Sequence, residues 1–314
     1  MQIFAHEDAD GICSASLFKM VEPSSRVFFS KPCGLLRDLD QVGKERELVI
    51  VDIALCELTK RLIVDKVSKL GSRVVYVDHH PGTGDAFKGH QNVELVFGNV
   101  STSELAFCYL GSQLKREAER VMLMGAIGDY EDLTPLCIDR LHRWDKRSIF
   151  LQAGILSGAL EISRHDHEFH RQIVNLLASR RPPSDDGRIV SYAIKASELE
   201  ENFRHRVEES AHRVGGIGIV SDLDGPAGKG ATYAAAAVGT SIGAYVDTDK
   251  RREIADVSFR VVDQSVDLNR ILRSVTPALG ASGGGHPSAC GARVPLRRLD
   301  ELFQALNHQL FNNV

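Results

Sequence analysis

Three short, almost wholly apolar runs in the N-terminal part of the chain each stop on a carboxylate or an imidazole. Met1-Gln2-Ile3-Phe4-Ala5 leads into His6-Glu7-Asp8-Ala9-Asp10-Gly11, Leu48-Val49-Ile50-Val51 into Asp52, and Val74-Val75-Tyr76-Val77 into Asp78-His79-His80. A run of this kind without polar alternation reads as a strand covered on both faces, which is the signature of a parallel sheet. Helical patterns separate the runs at 12–21, 35–42 and 55–70; in the last, Leu55, Leu58, Leu62, Val67 and Leu70 fall roughly on one face. Strands at 1–5, 26–30, 47–52 and 73–78 alternating with helices predict a doubly wound, mainly parallel α/β sheet. Ligands bind such sheets at the carboxyl ends of the strands, where these acids and imidazoles gather.

With 314 residues the chain is long enough for two domains. Residues 102–180 read as mostly helical, until Arg180-Arg181-Pro182-Pro183-Ser184-Asp185-Asp186-Gly187 breaks the pattern with loop chemistry. A charged helix pattern from 189 then leads to a composition shift near Val214. A strand at 215–220, a small-residue helix at 231–240, paired strands at 243–248 and 253–262, a Gly-rich loop at 280–285 and a helix at 298–311 complete a smaller α/β domain. The expected boundaries are 1–182, a helical linker at 183–213, and 214–314. The expected active site lies in the cleft between the domains.

The net charge of -4 argues against a protein that grips long duplex DNA by counterion release, and restricts nucleic-acid contacts to short or local ones. None of the six cysteines forms a Cys-x-x-Cys pair, which suits free thiols and a reducing cytoplasm. The least polar stretch, Ala231 to Val246, is interrupted by Thr232, Thr240, Ser241 and Gly243 and falls short of a membrane span.

His6, Asp8 and Asp10 stand at alternate positions, so an extended loop projects them to one side. Asp52 ends a neighbouring strand and is placed to bridge two ions, with His79 and Asp129 (after the apolar stretch Val121–Ile127) completing the second ion's shell. Mixed oxygen and imidazole donors suit Mn²⁺, Zn²⁺ or Fe²⁺ better than Ca²⁺. Two divalent ions held roughly 3.5–4 Å apart lower the pKa of a bridging water and polarise a phosphoryl oxygen, which predicts a two-metal hydrolase. Taken singly, Asp8 or Asp10 reads more simply as a helix N-cap. Likewise Ser101-Thr102-Ser103 reads first as a cap, although its N–H groups suit a phosphate. The histidines of Arg164-His165-Asp166-His167-Glu168-Phe169-His170 read as a solvated helix face rather than as metal ligands. Phe259 and Tyr233 are candidates for stacking on bases, with core packing the stronger reading of each.

These residues resemble the DHH phosphoesterases. His6-x-Asp8-x-Asp10-Gly11, Val51-Asp52, Asp78-His79-His80 and Gly128-Asp129 are similar to the family's four N-terminal motifs, in order. Gly283-Gly284-Gly285-His286-Pro287-Ser288-Ala289-Cys290-Gly291 resembles the signature of the DHH-associated C-terminal domain, and Ser258-Phe259-Arg260 its arginine-bearing strand. The resemblance implies that His6, Asp8 and Asp52 hold one Mn²⁺, with Mg²⁺ or Fe²⁺ as alternatives, and that Asp10, Asp52, His79 and Asp129 hold a second. It implies further that His80 lies beside the scissile phosphate and that Asp78 orients a histidine. Gly283, Gly284, Gly285, His286, Arg260 and Ser103 would meet substrate. The implied activity is Mn²⁺-dependent hydrolysis of single-stranded DNA or RNA, or of short oligonucleotides, from one end. The alternatives are a phosphodiesterase of small nucleotides (a cyclic dinucleotide or 3′-phosphoadenosine 5′-phosphate) and a nucleotide- or partner-binding module of low activity. A homodimer and a replication or repair partner are compatible with the family.

Overall fold

The computed structural model describes residues 1–43, 47–56, 58–262 and 266–311. The chain divides into two compact units, Met1–Ser197 and Glu198–Val314.

In the first unit, β1 (Gln2–Ala5), β2 (Arg26–Phe29), β3 (Glu47–Val51), β4 (Arg73–Asp78) and β5 (Val93–Phe97) form a five-stranded parallel sheet in the order β2-β1-β3-β4-β5. The apolar runs are buried on both faces, as their lack of alternation requires. Ile3, Ala5, Val49, Val51, Val75 and Val77 pack to one side, and Phe4, Leu48, Ile50, Val74 and Tyr76 to the other. Each such aliphatic side chain, fully buried, stabilises the fold by roughly 1.5–3 kcal/mol. Helices α1 (Ala9–Val21) and α2 (Leu35–Asp38) follow β1 and β2, and α3 (Lys60–Ser68) follows β3. Further along lie α4 (Thr102–Leu110), α5 (Ala118–Gly128), α6 (Pro135–Leu141), α7 (Lys146–Ile162) and α8 (His167–Ala178). Helix α9 (Gly187–Ser210) covers most of the segment expected to link two domains, and the division between the units falls inside it.

Register decides what the strand ends bring together. Ala5 pairs with Val51, and Val51 with Val77, in one row across β1, β3 and β4. The residues that follow, His6, Asp52 and Asp78, therefore emerge side by side at one edge. Between β1 and β3 the connections depart in opposite directions, and sheets of this strand order bind ligands at that switch point.

In the first unit three details differ from the sequence reading. The helix expected over 55–70 starts only at Lys60, which rotates its buried face: Ile63 and Val67 are buried, while Leu58 is 91% and Leu62 57% exposed. The pattern over 35–42 forms a single turn of α2 followed by a 3₁₀ turn over Leu39–Gln41. Strand β5 had no counterpart in the reading. It is an edge strand with partly exposed side chains, so its sequence lacks the apolar run that marks the others.

The second unit holds a mixed sheet in the order β10-β11-β9-β8-β7-β6. Its strands are β6 (His212–Val214), β7 (Ile217–Ser221), β8 (Ile242–Asp249), β9 (Ile254–Val261), β10 (Ser282–His286) and β11 (Ala289–Pro295). Its helices are α10 (Ala227–Val238), α11 (Leu268–Val275) and α12 (Leu299–Phe311). Among the described residues of this unit only β7 and β8 pair in parallel; the other pairings are antiparallel. The run expected as a Gly-rich loop at 280–285 is instead largely strand: β10 pairs with β11 from Ser282↔Arg293 to His286↔Ala289. Glycine has no side-chain period to betray a strand. Gly285 nevertheless belongs there, since it sits at φ 144° and a Cβ would lie 2.8 Å from the Ala289 carbonyl.

Candidate metal centre

The first motif loop bends at Glu7 and Asp8 after it leaves β1, and His6 and Asp8 come together beside Asp52. His6 Nδ1 lies 2.6 Å from Asp8 Oδ2 and 3.8 Å from Asp52 Oδ2. Asp8 also caps α1, accepting the Gly11 N–H at 3.0 Å, so the capping role and the place in the cluster coexist. Asp10, in the first turn of α1, is buried; its carboxylate accepts the N–H groups of Thr102 at 2.6 Å and Ser103 at 2.9 Å.

Asp52 is 2% exposed, sits at φ 60°, and accepts the Thr102 hydroxyl at 3.0 Å. Such a left-handed backbone is uncommon outside glycine but is tolerated by Asp and Asn, and here it turns the chain sharply after β3. His79 Nε2 lies 3.6 Å from Asp52 and 3.4 Å from Asp129. His80 Nδ1 is 2.8 Å from Asp78 Oδ1, and the other oxygen of Asp78 accepts the Thr83 hydroxyl at 2.6 Å. Asp78 is fully buried, so it orients His80 and takes no place in the donor groups below.

Among the described residues, three groups of donor atoms lie within 4.8 Å of one another: His6, Asp8 and Asp52; Asp10, His79 and Asp129; and Asp52, His79 and His80. The electrostatics fit divalent cations. Burial, reinforced by neighbouring carboxylates, pushes Asp52 well above the usual carboxylate range. Burial also raises Asp10, and burial together with the charges of Asp10 and Asp8 takes Asp129 up to about 7. At Asp8 burial works in the same direction, but the side chain keeps 47% of its surface, and the bond and charge of His6 bring its carboxyl down to about 2. His6 and His80 are raised: burial opposes their charge, but Asp8 and Asp78 respectively outweigh it. Carboxylates crowded this closely repel one another unless positive charge stands between them, and imidazole with carboxylate is a donor set for Mn²⁺, Fe²⁺ or Zn²⁺.

The N-terminus of α4 serves a carboxylate of this chain rather than a phosphate. Ser103, expected to meet substrate, is fully buried; its N–H is taken by Asp10 and its hydroxyl donates to the Met122 carbonyl at 3.0 Å. Ser101 is the N-cap. Thr102 and Thr83 escaped the sequence reading, because their partners become visible only once α4 and the loop after β4 are placed. Tyr130 escaped it as well. It follows Asp129, is 88% exposed and adopts φ 62°; the one available signal was an aromatic residue directly after Gly128-Asp129.

In the second unit Arg260 lies on β9, half-buried, against the first turn of α10: a Cβ on Gly228 would come within 2.4 Å of its Nη2. The Gly285 N–H donates to Asn269 Oδ1 at 3.0 Å, and the side chain of His286 lies outside the described residues. Phe259 is buried in the core and the Tyr233 hydroxyl bonds Glu200, so both are packing residues. The histidines at 165–170 are not a solvated face throughout, since His170 is 1% exposed.

Fold and site together are those that the resemblance to the DHH phosphoesterases leads one to expect. Residues 225–312 match the family described as the DHHA1 domain. Among solved structures, the chain is similar to the pGpG-specific phosphodiesterase PggH from Vibrio cholerae, with 13% identity and a TM-score of 0.65 over 100% of this chain and 99% of that one. It is also similar to RecJ in complex with Mn²⁺ from Thermus thermophilus, with 15% identity and a TM-score of 0.65; the match covers 98% of this chain but 51% of RecJ. CDC45 from Entamoeba histolytica shares the fold at 8% identity and a TM-score of 0.58, over 98% and 94% of the two chains. No curated protein sequence matches the chain significantly. No helix among the described residues is long and apolar enough to cross a membrane.

Proposed function

We propose that this chain is a Mn²⁺-dependent phosphodiesterase that hydrolyses short single-stranded oligonucleotides from one end. The observation that carries this reading is the position of Asp52, buried at the switch point and within 4 Å of both His6 and His79, so that the two histidine–carboxylate groups share one carboxylate. His6, Asp8 and Asp52 would hold one ion, and Asp10, Asp52, His79 and Asp129 the other. Ions bound there would neutralise phosphoryl oxygens and acidify a water for in-line attack.

The remaining steps belong to the chain's own side chains. Asp78 fixes the His80 ring by accepting from Nδ1 and, against the effect of burial, raises its pKa, so that the protonated ring would keep an Nε2–H to donate to a phosphoryl or leaving oxygen. Thr102 holds Asp52, and the Thr102 and Ser103 amides hold Asp10, so neither carboxylate needs to reorient during turnover. Tyr130 offers a base-stacking surface next to Asp129. In the second unit Arg260, Gly283, Gly284, Gly285 and His286 would bind the nucleotide. A net charge of -4 favours short substrates, since long-strand binding draws its affinity from counterion release. The neighbour PggH, specific for the dinucleotide pGpG, supports the short end of the range.

End-labelled RNA and DNA, from dinucleotides to long single strands, test this reading. Turnover with Mn²⁺ is expected to be highest on the shortest substrates and absent in Asp129→Ala. Cleavage confined to long strands, or equal in the variant, would overturn it.

Metal binding should also depend on pH in a stated direction. Asp129 has an ordinary carboxyl value of 3.8 and reaches about 7 in the fold, and Asp10 and Asp52 are raised too. A carboxyl raised by folding stabilises the fold below its unfolded value and loses that contribution as pH climbs through its folded value. The metal-free protein should therefore lose stability from about pH 4 to pH 7, the interval between the two Asp129 values. Mn²⁺ must displace those protons to bind, so its stabilising effect should be small at the acid end of that interval and large above it. A thermal-unfolding series with and without Mn²⁺ measures both trends; a metal-induced rise in Tm that did not depend on pH would contradict the assignment.

A further inference from the structure

Cys33 and Cys56 stand 23 positions apart and carry no pairing signal in the sequence, yet the fold sets their sulfur atoms 3.7 Å from each other. The sulfurs of a disulfide are about 2.05 Å apart, so the two thiols touch without being joined. Cys33 is exposed and Cys56 partly so. Cys33 follows β2 in the turn that opens α2, and Cys56 follows Asp52 in the segment that leads to α3.

Backbone and core contacts, rather than the sulfurs, place the two loops. The Lys31 carbonyl accepts the Gly34 N–H at 2.8 Å and the Leu35 N–H at 2.9 Å; the Cys56 carbonyl accepts the Thr59 N–H at 2.9 Å and the Lys60 N–H at 2.7 Å. Buried Ile53 and Leu55 anchor the approach to Cys56, and the Tyr76 hydroxyl donates to the Ile53 carbonyl at 2.6 Å. Lys66 on α3 reaches the Leu36 carbonyl at 2.8 Å and Asp40 at 2.6 Å, which ties together the elements that follow the two loops. In such a frame, side-chain rotation and a small shift of surface loop bring the sulfurs to bonding distance.

Reactivity divides between the two thiols. The attacking species in disulfide exchange is a thiolate. The Leu58 N–H and the Cys33 thiol, both directed at Cys56 Sγ, hold Cys56 below the ordinary thiol value, while donating to Cys56 raises Cys33. Cys13, Cys137 and Cys290 are buried, and Cys108 on α4 is exposed but raised by partial burial.

We propose that Cys33 and Cys56 form a modification site, a dithiol that exchanges with a low-molecular-weight disulfide and closes into a reversible cross-link between the loops after β2 and β3. The Cys56 thiolate attacks one sulfur of the small disulfide, whose S–S bond breaks; the other half leaves as a thiolate and takes a proton from solvent. Cys33 gives its proton to solvent, attacks the Cys56 sulfur and expels the second half as a thiol. Two protein thiols are oxidised, and the small disulfide is reduced to two thiols. Since β2 and β3 lie on either side of β1, the cross-link flanks the loop that carries His6 and Asp8. Lys31, two residues before Cys33, pairs with Glu7 at 2.8 Å, and Asp52 lies four residues before Cys56, so oxidation ties together two loops that border the candidate metal centre. The site does not depend on the phosphodiesterase reading.

The test uses the full chain, reduced and stripped with chelator, incubated with oxidised glutathione, quenched by alkylation and mapped by peptide mass spectrometry. A Cys33–Cys56 link within single chains is expected, and dithiothreitol should remove it. Cys33→Ser should stop at a glutathione adduct on Cys56, and in Cys56→Ser the remaining Cys33 should react more slowly than Cys56 does in Cys33→Ser. A disulfide stabilises chiefly by restricting the unfolded chain, so the linked protein should melt about 5–10 °C above the reduced one, a rise that neither serine variant shows. The proposal fails if the wild type carries separate adducts on the two cysteines, if links form only between chains, or if the mapped link lowers the melting temperature, the mark of a strained bond. Failure of the phosphodiesterase reading would instead appear as absent Mn²⁺-dependent turnover in a reduced protein that still forms the link.

Discussion

Asp52→Asn is expected to abolish turnover, by about a thousandfold or more, the scale on which loss of a preorganised charge-stabilising group acts, while making the metal-free protein more stable above neutral pH. The substitution is close to neutral in shape. Asn tolerates the φ of 60°, and its amide oxygen can still accept the Thr102 hydroxyl, which lies 3.0 Å from Asp52 Oδ1. Only charge is lost. Burial and the neighbouring Asp8, Asp10 and Asp129 raise the Asp52 carboxyl, so ionising it costs the metal-free fold stability. In the variant that cost vanishes, and its Tm in chelator should exceed that of the wild type at alkaline pH and converge with it in acid. Mn²⁺ should then stabilise the variant far less than the wild type. Calorimetry with and without Mn²⁺, beside turnover, decides the matter. A variant less stable than the wild type in chelator at alkaline pH would mean that Asp52 serves the fold and that its loss of activity is indirect.

Gly125→Ala is expected to have the second-largest effect, through a residue that bears no functional group. Alanine in place of glycine inside a helix ordinarily gains about 0.5–1 kcal/mol. Here the new Cβ would lie 2.4 Å from Ser103 Oγ and 2.9 Å from Asp10 Oδ1, closer than real contacts allow. Overpacking costs about 1–3 kcal/mol, so the clash wins. The displaced groups are Asp10 and the start of α4, so Mn²⁺ affinity and turnover should fall with stability. Gly154 in α7 has open space at its Cβ position and provides the control: Gly154→Ala should be stabilising and leave turnover unchanged. Equal stability changes at the two glycines, read from denaturant curves, would refute the account.

The donors were readable because parallel strands align their carboxyl ends. A sequence that ends three buried runs on His6, Asp52 and Asp78 places those residues at one edge whatever the details of packing. The capping and metal readings of Asp8 had looked like alternatives; the backbone shows that one oxygen accepts the Gly11 amide while the other faces His6. Where prediction failed, local pattern was ambiguous. Three consecutive glycines carry no side-chain period, so β10 looked like a loop, and the partly exposed edge strand β5 lacked the continuous apolar run that marked its neighbours.

Sequence therefore indicated the parallel sheet and the carboxylates and imidazoles that gather at its edge, since burial and strand direction are written in consecutive residues. Tertiary packing supplied the rest. That Ser103 seats Asp10 instead of touching substrate, that Thr102 and Thr83 fix Asp52 and Asp78, that Gly125 has no room for a methyl group and that His170 is buried against Glu7 all depend on elements distant in the chain meeting at contact distance. Such contacts are set by how helices α4, α5 and α8 dock on the sheet, a choice made by the whole core and by no local stretch of residues.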